Sequence, residues 1–413
     1  MSDTYDVAMI GAGILGLATA YELSTRHPGL DIVVLEKESH PGAHQSGHNS
    51  GVLHAGVYYT PGSLKARLCV EGKALMIAFA QEHGISYEIC GKLIVALDES
   101  ELGRLDALFE RGTANGVPGL AMVGPERIRE IEPHAAGIKA VHSPGTGIID
   151  FAGVVDKLAE LLIARGVRIV YNAEVTAITD GGETQVLSTK QGDFRAANVV
   201  SCAGVYSDRV ASMNTKPEIK IVPFRGDYYT LRPESRDLCR GLIYPVPDPT
   251  LPFLGVHFTK RFDGAVWAGP NAVLAFSREG YRRRDLNPKD LFGTLTYPGF
   301  LKLATKFWQT GAKEMWRDVV KSSFVKDLQR YVPDVTGNDL TWGPAGVRAQ
   351  ALSPDGSMVD DFVFSVGKRS VHVLNAPSPA ATASLAIARL IADKAAEAFD
   401  LPVDGKGAVP RTE

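Results

Sequence analysis

The amino-acid sequence predicts an α/β fold, in which a discontinuous parallel-sheet domain is joined to an α+β domain built on a mixed or antiparallel sheet. Three observations predict it. The apolar run Val7-Ala8-Met9-Ile10 leads through Gly11-Ala12-Gly13-Ile14-Leu15-Gly16 into a helical pattern. A second apolar run, Ile32-Val33-Val34-Leu35, ends in Glu36, at the spacing of a β-α-β unit. Far down the chain, residues 371–374 form another apolar strand before a helical pattern at 381–398. A sheet begun at the N-terminus therefore closes near the C-terminus.

The first unit is a Rossmann-like dinucleotide fingerprint. Gly11 permits a tight turn off the strand, Gly13 lets backbone approach a pyrophosphate, and Gly16 lets the helix pack on the sheet. The helix N-terminus offers free N–H groups and partial positive charge to phosphates. Glu36 suits a ribose hydroxyl pair and repels a 2′-phosphate, which favours FAD or NAD over NADP.

Residues 42–51 are a loop of small residues rich in donors. Leu64, Leu68, Gly72, Leu75 and Phe79 follow helical spacing, so 63–83 reads as an amphipathic helix. Residues 85–97 read as two short strands and 99–117 as a surface helix. An apolar-striped helix follows over 151–165, then strands at 168–171, 174–178 and 198–204. Short alternating runs with many prolines over 216–290 suggest an antiparallel sheet. Residues 298–330 read as helical, and from Trp342 a Gly-rich loop leads back to the first domain. The expected division is 1–85, 146–215 and 335–405 for the nucleotide domain, with 86–145 and 216–334 for the substrate domain. The last ten residues look frayed.

The chain has 413 residues, 45% of them apolar and 22% charged, an ordinary globular composition. The balance of 44 basic and 47 acidic residues gives a formal charge of −3, so nothing draws the whole molecule to nucleic acid. Cys69, Cys90, Cys202 and Cys239 are widely spaced, and are expected as reduced thiols without disulfide or metal roles. The first strand begins by Tyr5, so no leader is expected, and no uncharged apolar run reaches the ~18 residues of a membrane span. A cytoplasmic protein is expected.

The turn Asn375-Ala376-Pro377-Ser378-Pro379-Ala380 lies between a strand and a helix. Its N–H groups and partial positive charge suit a flavin pyrimidine ring, which becomes anionic on reduction. It also reads as an ordinary helix start, with Ser378 as N-cap and Pro379 at the first helical position.

At this point the chain resembles the D-amino-acid-oxidase-like FAD-dependent oxidoreductases over nearly its whole length. The likeness rests on the fingerprint, on 147–151, on Val175, on Cys202 to Asp208, on Asp263-Gly264 with Trp267 to Pro270, and on Trp342 to Arg348. Within that group, 48–59, 223–229 and 375–382 resemble the L-2-hydroxyglutarate dehydrogenase/oxidase family. The resemblance implies oxidation of this 2-hydroxy dicarboxylic acid to 2-oxoglutarate by hydride transfer from C2 to flavin N5. FAD is expected to be non-covalent, although attachment through His44 or His54 stays open. The implied FAD contacts are Gly11, Gly13, Ile14, Leu15, Gly16, Glu36 and Lys37, then Gln45, Ser46, Asn49, Ser50, Gly51, Val52 and Leu53. They continue with Val175, Cys202, Ala203, Gly204, Gly346 and Arg348, and end with Asn375, Pro377, Ser378, Pro379 and Ala380. No metal is expected.

Such a reaction needs a cation for the C1 carboxylate, a base for the hydroxyl proton, and a grip on the distal carboxylate. The resemblance makes Arg348 the carboxylate clamp, a role its planar fork suits; an ion pair with Asp360 or Asp361 is the alternative. For the base, His257 is favoured over His54, and either also reads as a packed histidine bonded to backbone. His44 and His48 read as backbone-organising or phosphate-adjacent. Lys260, Arg225 and Tyr229 are candidates for the distal carboxylate. Strand alternation points Lys260 away from His257, and Arg225 also reads as a corner residue near the flavin.

Residues 291–321 mix Phe292, Tyr297, Phe300, Phe307, Trp308 and Trp316 with five basic residues. Phe300, Ala304, Phe307, Trp308, Gly311 and Met315 fall roughly on one helical face. This reads either as an interfacial helix on the cytoplasmic face of an inner membrane, with a quinone as electron acceptor and oxygen as a side reaction, or as a helix packed on its own sheet. Two other functional readings stay open: an FAD-dependent amine or amino-acid oxidase of the same fold, and a flavin-binding protein without turnover.

Overall fold

The computed structural model describes residues 4–249 and 253–401; the ten C-terminal residues expected to fray lie outside them. Thr4–Ile10 is the centre of an eight-stranded sheet. It pairs in parallel with Ile32–Leu35 on one side and Gly192–Ser201 on the other. Arg168–Val170 extends the sheet beyond Ile32–Leu35, and Ser370–Asn375 joins Gly192–Ser201 in parallel. The central strands are apolar on both sides because both faces are covered. On one face the helices Ile14–Arg26, Phe151–Ala164 and Ser384–Ala398 bury Val7, Met9, Leu17, Leu23, Val154 and Ile391. On the other, Ala8, Ile10, Val33 and Leu35 pack with Val199 and Ile178.

The second sheet has nine strands. Lys220–Leu231 and Leu340–Leu352 form its long antiparallel pair. Val266–Gly269, His257–Lys260 and Leu242–Pro245 follow antiparallel. Lys92–Ala96 then joins Leu242–Pro245 in parallel, so this sheet is mixed. Val52–Leu53, Gly147–Ile149 and Tyr87–Glu88 make a small third sheet.

Two local expectations are corrected. Trp342 to Arg348 is not a Gly-rich loop: it lies within the strand Leu340–Leu352, antiparallel to Lys220–Leu231, with a register shift opposite Asp227 and Tyr229. The segment expected to open the third piece of the first domain thus belongs to the second sheet. The last helix begins at Ser384, not near Ser378, and its N-cap is Ala383. Residues 378–383 are turns, held by Thr382, whose hydroxyl donates to the Val52 carbonyl at 3.0 Å and accepts from the His54 N–H at 3.2 Å.

Candidate active site

The fingerprint glycines are required sterically. Gly11 has φ +98°, and a Cβ there would sit 2.7 Å from the Cys202 carbonyl oxygen. A Cβ on Gly16 would sit 2.0 Å from the Gly11 carbonyl oxygen. The helix therefore rests directly on the turn, and its first residues face a cavity of about 600 Å³ outside the carboxyl ends of the parallel strands. That is the expected ligand position in a doubly wound sheet. The lining runs from Glu36, Lys37 and Val175, past Gly11, Gly13, Ile14, Leu15, Gln45 and Ser46, to Asn49, Ser50, Val52 and His54. Cys202, Ala203 and Gly204 form one wall, and Asn375, Ser378, Pro379 and Ala380 another.

These residues fit an adenine dinucleotide with a flavin. Gly13 leaves a cradle, since a Cβ there would lie 3.2 Å from the Ser46 hydroxyl. That hydroxyl accepts from the Ile14 N–H at 2.9 Å and pins the loop over the helix start. The buried Glu36 carboxylate accepts from the Ala12 N–H at 2.7 Å and the Glu38 N–H at 2.9 Å, so an acid is fixed where a ribose is expected. Lys37 is paired with Glu38 and Glu279. Several expected FAD contacts do not reach the cavity. Leu53 is fully buried in the core, Gly16 packs within the helix against the Gly11 turn, and Gly346 packs against the His48 carbonyl. Gly51 takes φ +73° against the Arg261 guanidinium. Pro377 and Arg348 are likewise outside the lining, although Ala376 and Ala349 belong to it.

Beyond His54 lies a second group of side chains. His257 Nδ1 is 2.9 Å from the Gly255 carbonyl, so this nitrogen carries the proton and Nε2 keeps the lone pair. The imidazole stacks on Tyr244, with ring centres 3.9 Å apart. Burial, with the charges of Lys92 and Arg348 adding to it, lowers His257 to about 3 despite the Gly255 bond. Burial first, then Lys92, His257 and Lys65, also lowers His54 to about 3. Both rings are neutral acceptors at pH 7.

Arg348 sits over the Phe253 ring at 4.7 Å and has no ion-pair partner among the described residues. The alternative pairing with Asp360 does not form, because Asp360 takes Lys65 at 2.8 Å. Tyr228 faces the same region: burial raises its hydroxyl to about 12 against the opposing pull of Arg348 and Arg261.

The three candidates for the distal carboxylate are elsewhere. Tyr229 points into the core of the second sheet, stacked on Trp342 at 4.5 Å and against Phe324 at 5.0 Å. A register shift between Asp227 and Tyr229 sends Tyr228, not Tyr229, to the site. Arg225 is buried and occupied by Asp227 at 3.0 Å and Asp318 at 3.2 Å. Lys260 is paired with Glu88 at 2.6 Å, as regular alternation along His257–Lys260 requires. His44 is bonded to Glu38 at 2.9 Å, and His48 lies 3.2 Å from the Ala345 carbonyl.

Sequence reasoning missed Tyr228, Thr382, Arg261 and Lys92. Arg261 donates to the Asn49 carbonyl at 2.8 Å and stacks on Trp267 at 4.0 Å, holding the 49–54 loop. Lys92 heads the strand Lys92–Ala96, all five residues of which are buried.

Comparison with known proteins agrees with this geometry. The model of the FAD dependent oxidoreductase family matches residues 6–394. L-2-hydroxyglutarate dehydrogenase, mitochondrial, from Nematostella vectensis is 51% identical over 97% of this chain and 92% of its own. The Homo sapiens protein of the same name is 47% identical over 97% and 90%. L-2-hydroxyglutarate dehydrogenase from Escherichia coli is 45% identical over 94% and 93%. Among solved structures, L-alpha-glycerophosphate oxidase from Mycoplasma pneumoniae with FAD bound superposes with a TM-score of 0.78 at 24% identity, covering 99% of this chain and 100% of that one. Glycine oxidase from Geobacillus kaustophilus gives 0.71 at 20% identity, covering 95% of each. The fold, the glycine turn, the cavity beside it and these relatives lead to one conclusion: the chain belongs to the FAD-dependent oxidoreductase family.

Proposed function

We propose that the chain oxidises L-2-hydroxyglutarate to 2-oxoglutarate with FAD. One observation carries the reading: an Arg348 guanidinium with no ion-pair partner among the described residues, acting on a neutral His257 beside the cofactor cavity. The relatives' names supply the substrate. Arg348 pairs both oxygens of the C1 carboxylate and so fixes the orientation of C2. His257 Nε2 accepts the hydroxyl proton, while the Gly255 carbonyl holds the other nitrogen in its N–H form. A bound dianion offsets the Arg348 and Lys92 charges that depress His257, so substrate itself makes the base stronger. His54, on the cavity wall, backs the same region as a second neutral imidazole. Bound FAD supplies the hydride acceptor.

The electrons pass to a membrane quinone, with oxygen as a side reaction, and the protein docks on the cytoplasmic face of an inner membrane. The support is a surface feature. The helix Pro298–Val319 turns only part of its apolar stripe inward, burying Phe300 and Leu303 against Val222 and Leu352. Leu301, Trp308, Met315 and Trp316 stay 50–66% exposed, and Phe292 on the preceding helix Pro288–Leu295 is 70% exposed. Among the described residues, no helix is long and apolar enough to cross a membrane.

The test is anaerobic mixing of the yellow protein with L-2-hydroxyglutarate, D-2-hydroxyglutarate, L-lactate and amino acids. Flavin bleaching by L-2-hydroxyglutarate alone is expected. Bleaching only by an amine overturns the reading in favour of an amine oxidase, and no bleaching by any of them overturns it in favour of a protein without turnover.

A further inference from the structure

With Lys260, Arg225 and Tyr229 committed elsewhere, the distal carboxylate of a diacid needs another anchor. Two lysines act on the His54 imidazole, Lys65 and Lys92. Lys65 is taken by Asp360. Lys92 is 3% exposed, and among the described residues neither a carboxylate nor a hydrogen-bond acceptor pairs with it. Its ammonium lies 4.0 Å from the centre of the Tyr244 ring and 5.2 Å from that of Tyr58. Tyr244 is the ring on which His257 stacks. The Tyr58 hydroxyl is buried and has no partner among the described residues. A buried cation with only aromatic faces for partners, near the ring that carries an orphaned buried hydroxyl, is costly to keep, and a bound carboxylate would satisfy both at once.

We propose that Lys92 anchors the distal carboxylate of the substrate, with the Tyr58 hydroxyl donating a second hydrogen bond to it. This deepens the reading given above and rests on it. Two cations, Arg348 and Lys92, then act on the His257 ring and on the substrate's two carboxylates. A diacid held at both ends presents its C2 hydroxyl to the imidazole. A monocarboxylic 2-hydroxy acid meets Arg348 but leaves Lys92 buried and unpaired, so the pair selects for two carboxylates rather than one.

The experiment is equilibrium titration of the FAD-loaded protein with glutarate and with butyrate, read as perturbation of the flavin spectrum without turnover. It is run on the wild type and on Lys92→Met and Tyr58→Phe. Glutarate should bind wild type far more tightly than butyrate, and Lys92→Met should weaken glutarate by about 30-fold or more while butyrate changes little. Tyr58→Phe should weaken glutarate more mildly and in the same selective way. Equal weakening of both acids, or unchanged glutarate affinity in a Lys92→Met protein that still holds FAD, overturns the assignment. Because this readout needs no oxidation, it is separate from the bleaching test. Wild type that binds glutarate selectively but is not bleached by L-2-hydroxyglutarate contradicts the functional reading and leaves the anchor standing.

Discussion

Arg348 and His257 do different work, and substitutions should separate them kinetically. Arg348→Lys keeps the charge and loses the fork, so KM for the hydroxy acid should rise about 10- to 100-fold with FAD retained. Loss of the yellow colour instead would assign Arg348 to the cofactor. His257→Asn removes the proton acceptor, and kcat should fall by about 10²–10⁴ with a small change in KM. Lys92 adds a pH signature. Burial lowers it to about 7, with the nearby thiols of Cys69 and Cys90 opposing. The groups facing it do not titrate near neutrality. His54 and His257 lie at about 3, Cys69 at about 12 and Cys90 at about 11, and burial raises the Tyr58 and Tyr244 hydroxyls. An anion binds the protonated lysine, so glutarate affinity should be full below pH 7 and fall as pH rises through and above it. Titrations from pH 6 to 9 check this, and Lys92→Arg, which stays charged, should flatten the dependence. The glycine turn and much of the cavity lining were legible because glycine spacing and adjoining motifs are local. Lys92 and Tyr58 were not, because a lysine's burial is decided by strands far away in sequence. Arg225 and Lys260 are both taken by carboxylates, and of these Asp318 and Glu88 are distant in sequence.

At the scale of elements, the helix Ile14–Arg26 is positioned by contact between glycines. A methyl group on Gly16 would overlap the Gly11 carbonyl, so Gly16→Ala should lift the helix from the turn. Purified protein should then carry much less flavin per chain, measured by its visible absorbance. A second element depends on a buried ion pair. Arg278 donates to Asp208 at 2.8 Å, and Asp208 also accepts from the Ile221 N–H at 3.0 Å, tying 204–211 beside the cavity to the strand Lys220–Leu231. Arg278→Leu leaves the Asp208 charge unpaired and should destabilise by about 3–5 kcal/mol, seen as a lower denaturation midpoint. Adding Asp208→Asn should recover part of the loss. The β-α-β unit and the helices at 64–83 and 151–164 were legible because buried residues such as Leu68, Gly72, Leu75 and Phe79, or Val154, Leu158 and Leu162, recur at helical spacing. Trp342 to Arg348 reads as a loop because Gly343, Pro344 and Gly346 suggest one, whereas pairing with Lys220–Leu231 makes it a strand. The turn at 378–383 was misread because Ser-Pro resembles a helix start, while the Thr382 tie to the Val52 strand delays the helix to Ser384.

For the whole molecule, the distribution of exposed apolar side chains is uneven. Pro298–Val319 is kinked at Phe307 (φ −116°, ψ 22°); beyond the kink Trp308 and Met315 are seven residues apart, two helical turns, and share an outward edge, while the exposed Leu301 lies on the part before it. Trp316 follows Met315 on the same helix, Phe292 is exposed on the preceding helix Pro288–Leu295, and Lys302, Lys306 and Lys313 are exposed on Pro298–Val319. Aromatic and cationic side chains together suit a lipid headgroup region, where rings enter the interface and ammonium groups meet anionic lipid. The sequence had shown the aromatic stripe but not its split, since the choice of which residues face Val222 and Leu352 belongs to the packed sheet. Trp308→Glu with Trp316→Glu removes the rings and reverses local charge without touching the buried Phe300 and Leu303. In sedimentation with anionic vesicles, the bound fraction should fall by an order of magnitude or more, while flavin content and anaerobic bleaching by substrate stay at wild-type levels. Raising salt should weaken wild-type binding only in part, because burial of the rings is not screened. Equal binding of the double variant and the wild type rules out this edge as the docking surface, and with it the basis for a quinone as acceptor.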